Sequence, residues 1–542
     1  MILKKKPEEI WREYEKGIDY KTGLNLYDIV ERNNNFFMDR QWEGINAPSL
    51  DKPVFNILKP VVNYYTAMLI SDDIAINTEM ADAAGASDTM ELKSGNKRKV
   101  FQMEDVLPKV IASEVERVME QTNARTLNRR MLRNCAVDGD ACFYLWYDAR
   151  EDGIRIDLLD NTNVYFGNPA CAEVERQPYI ILAYRMNTQE VREEAEGNGL
   201  PVEGILPDGE TIYFNPGKEE ERSCTTVLLK LWKEQGAVRY IKCTGKALVK
   251  QETDAGYERY PLAWMSWERV KNSYHGTSPL TGKIANQIFI NKVYALSMRF
   301  VMLNAYPKVI YNEEKLPEGW NNDVGAAVKV LGDPNSAIFG GYQPPNMSGD
   351  AMRMVQSTMQ QTKDLMGASD AALGNVKPDN TSAIIAVQRA AGVPLDLQRM
   401  DFHSFVEDYV RVILDMMRVH YGVRRICVRM NAGEKYAGDF DFSRLGESEF
   451  SLKIDIGAGT YWSQQMQVQM LDNLMKNKIL SDPAVYLEMV PDEFVKDKHK
   501  ILDSINGRRE TGEQTTGRQK AARDARQGGS RPAPRGKRGQ NV

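Results

Sequence analysis

The sequence predicts a helix-rich α+β protein, and three observations carry that expectation. Residues 100–270 pass from one long helical run into a series of short, period-two runs, the pattern of a mostly antiparallel sheet with helices at its ends. Residues 278–421 hold three long helical patterns. A small β-patterned excursion at 307–347 separates the first two of them. The chain has 542 residues, 42% hydrophobic and 27% charged, the balance of an ordinary folded protein rather than a collagen-like, disordered or disulfide-scaffold one.

Taken in order, Trp11, Tyr14 and Ile18 recur at helical steps, Leu26, Ile29 and Val30 continue them, and residues 1–37 read as polar helices. Arg40 to Pro48 is a loop by its Gly and Pro, and Asn56–Ile70 reads as a buried helix. Residues 81–99 are small, polar and aperiodic, which predicts a flexible surface loop. Val106–Val137 is helical, Asp138-Gly139-Asp140 a turn, and Ala141–Tyr147 a strand. Strands follow at 154–159, 163–166 and 179–186, with a short helix opening at Thr188. Thr225–Trp232, Val238–Cys243 and Lys246–Gln251 read as a meander.

Ser278–Tyr306 is predicted as one helix, opened by Ser278-Pro279 and ended by Pro307. Ala285, Phe289, Val293, Leu296, Phe300 and Leu303 mark its apolar face, and its length is ~40 Å at ~1.5 Å per residue. The excursion carries strand-like pieces at Val309–Tyr311, Ala327–Leu331 and Ala337–Phe339. The second helix, Asp350–Ser369, sets Met352, Val355, Met359 and Met366 against Arg353, Ser357, Gln360 and Asp364. A polar loop follows. The third helix starts at Thr381 or Ser382 and runs to Tyr421, with a kink at Gly392 and Pro394 because Pro removes a donor and clashes one turn back. Residues 424–456 return to β character, and Met466–Lys478, Pro483–Met489 and 493–505 read as short helices.

Charge is unevenly spread. Residues 507–542 carry 10 Lys+Arg and 3 Asp+Glu with almost no large apolar residue, a disordered basic tail by composition. The rest of the chain has a net charge of −12, which argues against tight nucleic-acid binding built on many phosphate contacts. No apolar run reaches the ~18 residues of a membrane span, and Met1–Glu9 has no secretory apolar segment, so neither membrane nor signal peptide is expected. The six cysteines form no Cys-x-x-Cys pair and read as reduced thiols.

The chemical motifs are mostly absent. The chain has no Walker loop, no G-x-G-x-x-G and no H-E-x-x-H. His275, His403, His420 and His499 have no metal-ligand spacing, so no metal, cofactor or catalytic residue is expected. His403 and His420 read as helix-face packing, Asp138 and Asp140 as turn carboxylates, and Cys135 and Cys142 as packed thiols. His275, in a turn after Tyr274, is the one candidate general base.

The order of long helix, β excursion, helix, polar loop, kinked helix and helical end resembles the portal proteins, or head-to-tail connectors, of tailed double-stranded-DNA bacteriophages. Asn33–Trp42 with Pro53–Val62, Asp138–Trp146, Tyr274–Leu280 and Asp379–Gln388 carry the resemblance, which spans about residues 10–506. It implies a wing at 1–270, a first stem helix at 271–306 and a clip at 307–347. A second stem helix and tunnel loop at 348–380, a kinked helix at 381–421, a wing β segment at 422–459 and crown helices at 460–506 complete the subunit. It also implies a ring, usually a dodecamer, at one capsid vertex. That ring is the channel for packaging and ejection of double-stranded DNA and is not an enzyme. The implied partners are the terminase large subunit, the major capsid and scaffolding proteins and a head-completion adaptor. The implied location is the virion, with the host cytoplasm during assembly. In the tunnel loop the resemblance points to Asn375, Lys377, Asp379 and Asn380, a mixed set that touches phosphates without holding them. The alternatives are a cytosolic scaffold without a DNA channel and a helical-core hydrolase.

Overall fold

Helices α1 (Pro7–Gly23) and α2 (Leu26–Phe37) open the chain, separated by Asn25 in the left-handed region. Helix α3 (Leu58–Ile70) begins at Asn56, whose Oδ1 accepts from the N–H groups of Leu58 and Lys59 at 3.1 Å each. Those two donors have no partner inside the helix, so the side chain does the work of a cap. The Asn56 amide also donates to the Phe36 carbonyl at 2.9 Å, tying α3 to the end of α2. The computed structural model describes residues 6–48, 50–70, 75–80, 89–94, 97–208, 224–304, 308–319, 327–342, 349–368, 392–429, 435–446, 450–455, 461–477, 483–490, 495 and 501.

Strands β1 (Ala75–Met80), β2 (Thr89–Ser94) and β3 (Lys97–Gln102) come next. They correct the expectation of a flexible loop over 81–99: β2 and β3 pair antiparallel from Thr89↔Gln102 to Ser94↔Lys97. The physical reason is a period-two pattern hidden among polar residues, in which Met90 and Leu92 are buried while Glu91 and Lys93 between them are exposed. Residues 81–88 lie outside the described residues.

The helical run over 106–137 is two helices, α4 (Met103–Gln121) and α5 (Ala124–Asp138), because Asn123 takes a left-handed conformation at φ 53°. Gly139 ends α5 at φ 99°, a conformation that favours glycine, and the chain turns directly into β4 (Asp140–Asp148). Then follow β5 (Gly153–Leu159), β6 (Val164–Phe166), β7 (Ile180–Asn187), α6 (Thr188–Gly197), β8 (Cys224–Glu234), β9 (Ala237–Cys243), β10 (Leu248–Asp254) and β11 (Leu262–Ser266). The capping residue of α6 is Asn187 rather than Thr188. The strands form a five-stranded sheet, β10-β9-β8-β7-β6, and a three-stranded one, β11-β4-β5.

Helix α7 (Ile284–Asn304) starts a turn and a half later than Ser278-Pro279 suggests. Ser278 is used elsewhere: its hydroxyl donates to the Ala136 carbonyl at 2.7 Å and accepts from Leu280 N–H, which holds residues 278–283 as turns. Strands β12 (Lys308–Tyr311) and β13 (Ile338–Tyr342) form at two of the three strand-like pieces and pair antiparallel, whereas Ala327–Leu331 is not a strand. Helix α8 (Gly349–Leu365) buries Val355, with Met366 buried just beyond its end, and exposes Arg353, Ser357, Gln360 and Asp364. A 3-10 turn at Val393–Leu395 leads into α9 (Asp396–His420). Strands β14 (Val423–Arg429), β15 (Lys435–Asp441) and β16 (Phe450–Asp455) close the first unit, β14 and β15 joining the sheet β14-β15-β2-β3 and β16 pairing with β1.

The main core sits where α3, α4, α5 and α9 meet β4 and β11. Phe402, Phe405, Val406, Tyr409, Val410, Val412, Ile413, Met416 and Met417 of α9 are all buried, the wide face that the sequence predicts. Residues 1–456 form one compact unit and 457–542 a second. The second contains α10 (Tyr461–Lys476), which begins before Met466, and α11 (Pro483–Met489), joined by a 2.6 Å bond from Tyr486 Oη to Asp472.

Replacing Asn56 by Ala removes the α3 cap and its tie to α2. We expect a loss of roughly 1–2 kcal/mol, read as a lower urea midpoint. An unchanged midpoint would show that water serves the two N–H groups equally well.

Candidate functional site

His275 and the Asp138–Asp140 turn are the first place to look for chemistry. The structure brings His275 and Asp140 together: His275 Nδ1 donates to Asp140 Oδ2 at 2.8 Å, and Gly276 N–H donates to Asp140 Oδ1 at 2.7 Å. Gly276 has no room for a side chain, since a Cβ would lie 2.7 Å from the Glu268 carbonyl and 2.8 Å from Ser266 Cβ. Both side chains of the pair are almost completely buried. Tyr274 packs on the imidazole at 4.0 Å between ring centres, and Trp264 meets it edge-on at 5.7 Å. Asp138 is not part of the hydrogen-bonded pair, and its carbonyl accepts from Asn161 Nδ2.

Lys21 lies in the same region and went unnoticed in the sequence. It is fully buried, donates to the carbonyls of Asn161 and Thr162 at 2.8 Å each, and stands 3.7 Å from the centre of the Tyr165 ring. Its signal is positional: Ile10, Tyr14, Ile18 and Lys21 step by four, four and three, so the lysine falls on the apolar stripe of α1. Burial holds its pKa well below the usual lysine value, with the Asp140 charge opposing that shift. Burial likewise lowers the pKa of His275, and its hydrogen bond to Asp140 works against that shift. The geometry is that of a joint. Asp140 and His275 tie the start of β4 to the segment leading to α7, Lys21 ties α1 to the turn at Asn161–Thr162, and the imidazole is buried away from solvent.

The remaining candidates pack. Burial pushes the thiols of Cys135 and Cys142 up, away from the nucleophilic thiolate. His420 stacks on Tyr147 at 4.1 Å and shares a 2.7 Å hydrogen bond with Tyr257 Oη. His403 is half-buried, and His499 lies outside the described residues. Among the described residues no group of three His, Cys, Asp or Glu is placed to hold a metal ion, and no helix is long and apolar enough to cross a membrane. Asn375, Lys377, Asp379 and Asn380 lie outside the described residues, as does the helical run expected upstream of Gly392. Pro394 sits inside the 3-10 turn, and a Cβ on Gly367 would come within 3.0 Å of it, so the end of α8 abuts the start of α9.

The surface that stands out is apolar. Helix α7 is held on one side by Ile284, Ile290 and Ala295 and by two amides, Gln287 and Asn291. These bind the extended segment before α3: Ile57 N–H donates to Gln287 Oε1 at 3.0 Å, Phe55 N–H donates to Asn291 Oδ1 at 3.2 Å, and Gln287 Nε2 donates to the Phe55 carbonyl at 2.7 Å. The last turns of α7 are apolar and open to solvent. Leu296, 60% exposed, and Leu303, 61%, lie on the side away from Gln287 and Asn291, and Val301, 61%, and Met302, 63%, lie on the anchored side beyond its buried part. The hydrogen bond from Asn286 Nδ2 to Thr362 Oγ1 joins the start of α7 to the end of α8, so the two run antiparallel and Met354 of α8, also exposed, falls toward the end of α7 that carries these residues. At the opposite end Leu365, Val393, Leu397 and Met400 are exposed. Single exposed apolar residues need no explanation, but concentrations of them mark contact surfaces.

Because His275 is held below its ordinary pKa, the unfolded chain takes up its proton first as pH falls below ~6.5, and stability contributed by the neutral ring is lost on the acid side. The melting temperature of the wild type should drop between pH ~7 and ~5. His275→Asn, which keeps a donor toward Asp140, should show a shallower drop, and identical slopes would place the acid sensitivity elsewhere.

No curated protein matches the chain. Residues 182–436, from β7 to β15, match the model of the phage P22-like portal protein family, and this match supports a phage portal protein.

Proposed function

We propose that the chain forms a closed ring of about a dozen copies at one vertex of a phage capsid. In this reading it is the channel for packaging and ejection of double-stranded DNA. It is also the platform on which the terminase large subunit, the major capsid and scaffolding proteins and a head-completion adaptor dock. It resides at the portal vertex of the virion, and in the host cytoplasm while the particle is built. Residues 1–270 with 422–459 would be the wing, 271–306 the first stem helix, 307–347 the clip, 348–380 the second stem helix and tunnel loop, 381–421 the kinked helix and 460–506 the crown. The portal family is structural rather than enzymatic.

The observation that carries this reading is the exposed apolar end of α7. Apolar side chains clustered in water mark a contact surface, and α7 meets no membrane criterion, so its last turns call for protein. Repeating one chain around a cyclic axis supplies that cover, because a heterologous contact whose rotation closes gives a ring.

Leu303→Glu together with Leu397→Glu tests this. Both residues are exposed in the single chain, so the melting temperature of the dissociated chain should hold. The wild type should sediment at many times the 61.5 kDa of one chain and image as rings, and the variant as single chains. Rings formed by the variant, or a wild type that stays monomeric, would overturn the assignment.

The loop containing Asn375, Lys377, Asp379 and Asn380 would line the narrowest part of the channel, aimed by the bend at Gly392 and Pro394. One cation and one anion in each copy let a duplex slide, since Lys377 attracts phosphate and Asp379 repels it. Lys377→Glu should leave ring mass unchanged and reduce DNA packaging by purified rings more than Lys377→Ala does. Wild-type packaging by both leaves the loop a mere connection.

A further inference from the structure

The sheet β14-β15-β2-β3 buries Ile426, Tyr436 and Leu92 on one face. The alternate positions Arg425, Cys427, Asp439 and Lys93 are exposed, so they form the outward face. Along that face the register sets Arg429 directly opposite Lys435, and Lys93 directly opposite Arg98. Ala437 is opposite both Cys427 and Lys93, so Lys435, two residues from Ala437, falls one row from Lys93. Four cations thus occupy alternate positions in two neighbouring rows at one end of the sheet. The acidic residues gather at the other end: Asp439 is opposite Arg425, Asp441 opposite Val423, and Glu91 opposite Val100. Glu434 is the one acid beside the quartet in the sequence.

Two like-charge pairs directly opposed on adjacent strands cost stability. They do so at one end of one face, in a chain whose first 506 residues are net acidic. The partner that repays such an arrangement is a polyanion. Rows of one face repeat every ~6.8 Å and neighbouring strands lie ~4.8 Å apart, so the quartet covers a patch about 15 Å long. A DNA duplex, with one negative charge per ~1.7 Å of axis, presents several phosphates over that length.

We propose that this end of the sheet is a contact for the phosphate backbone of double-stranded DNA, independent of sequence and additional to the loop at 375–380. The choice of DNA as the polyanion rests on the portal reading. The quartet itself rests on the register alone.

The experiment is binding of the full-length protein to a mixed-sequence duplex of about 30 base pairs, followed over a series of salt concentrations. The test variant carries Lys93→Gln, Arg98→Gln, Arg429→Gln and Lys435→Gln. The control carries Arg12→Gln, Lys16→Gln, Lys246→Gln and Lys271→Gln, four exposed cations outside the sheet. Both keep the basic tail and lose the same charge. The slope of log affinity against log salt should shrink by about 3 to 4 in the test variant and by less than ~1 in the control. Equal losses in both, or none in either, overturn the proposal. Should the quadruple variant fail to fold, Lys93→Gln and Lys435→Gln singly should each shrink the slope by ~1. Particle mass is measured in parallel. A test variant that binds DNA like the wild type but no longer assembles makes the patch a contact with another copy of the chain, and the proposal fails. A wild type that never assembles removes the portal reading, and the slope still decides the patch.

Discussion

Helix α7 is anchored over its first part, and among the described residues a single copy of the chain leaves its apolar last turns uncovered. The covered side is fixed by polar chemistry as much as by packing, because Gln287 and Asn291 pair with the backbone of Phe55 and Ile57 much as a neighbouring strand would. Gln41, itself buried, accepts from Asn291 Nδ2 at 2.5 Å and donates to the Phe36 carbonyl, which extends the same network into α2. A helix anchored this firmly over its first part cannot shift to hide its last turns. The four side chains Leu296, Val301, Met302 and Leu303 therefore stay in water until another protein surface meets them.

The second fixed point is the joint of Asp140, His275 and Lys21. Asp140 and His275 tie the first residue of β4 to the segment that leads into α7, and Lys21 ties the end of α1 to the turn at Asn161–Thr162. Buried polar groups are expensive unless paired; Lys21 Nζ and His275 Nδ1 have acceptors at 2.8 Å, while His275 Nε2 is buried with none among the described residues. Gly276 lets the backbone come close enough to Asp140 to donate, which no residue with a Cβ could do without displacing Ser266 or the Glu268 carbonyl. With the amide network at Gln287 and Asn291, the joint sets where α7 leaves the body of the protein.

Much of this was legible in the sequence, for reasons that differ by element. The core face of α9 was read almost residue by residue, because six apolar positions in a row of threes and fours admit one helical face. The same rule picked the right side of α8. It chose poorly on α7: Ala285, Leu296 and Leu303 of the expected face are exposed, while Gln287 and Asn291 are buried. A helix apolar all round has no preferred face in its periodicity, and its polar anchors look like surface residues. The β2–β3 hairpin was hidden because its outward positions are charged and only Met90 and Leu92 mark the inner side. The break at Asn123 depends on one left-handed residue, which periodicity does not register. Lys21 and the pairing of His275 with Asp140 are contacts between distant segments, and spacing along the chain carries no trace of them.

Oxidative footprinting of methionines tests the central claim most directly, because exposed thioethers oxidise and buried ones are shielded. Met302 is 63% exposed in the single chain and Met38, on the end of α2, is 47% exposed. In the assembled particle Met302 should be protected several-fold relative to the dissociated chain, while Met38 oxidises at the same rate in both. Equal oxidation of Met302 in the two states would mean that no neighbour covers the open end of α7, and would contradict the account.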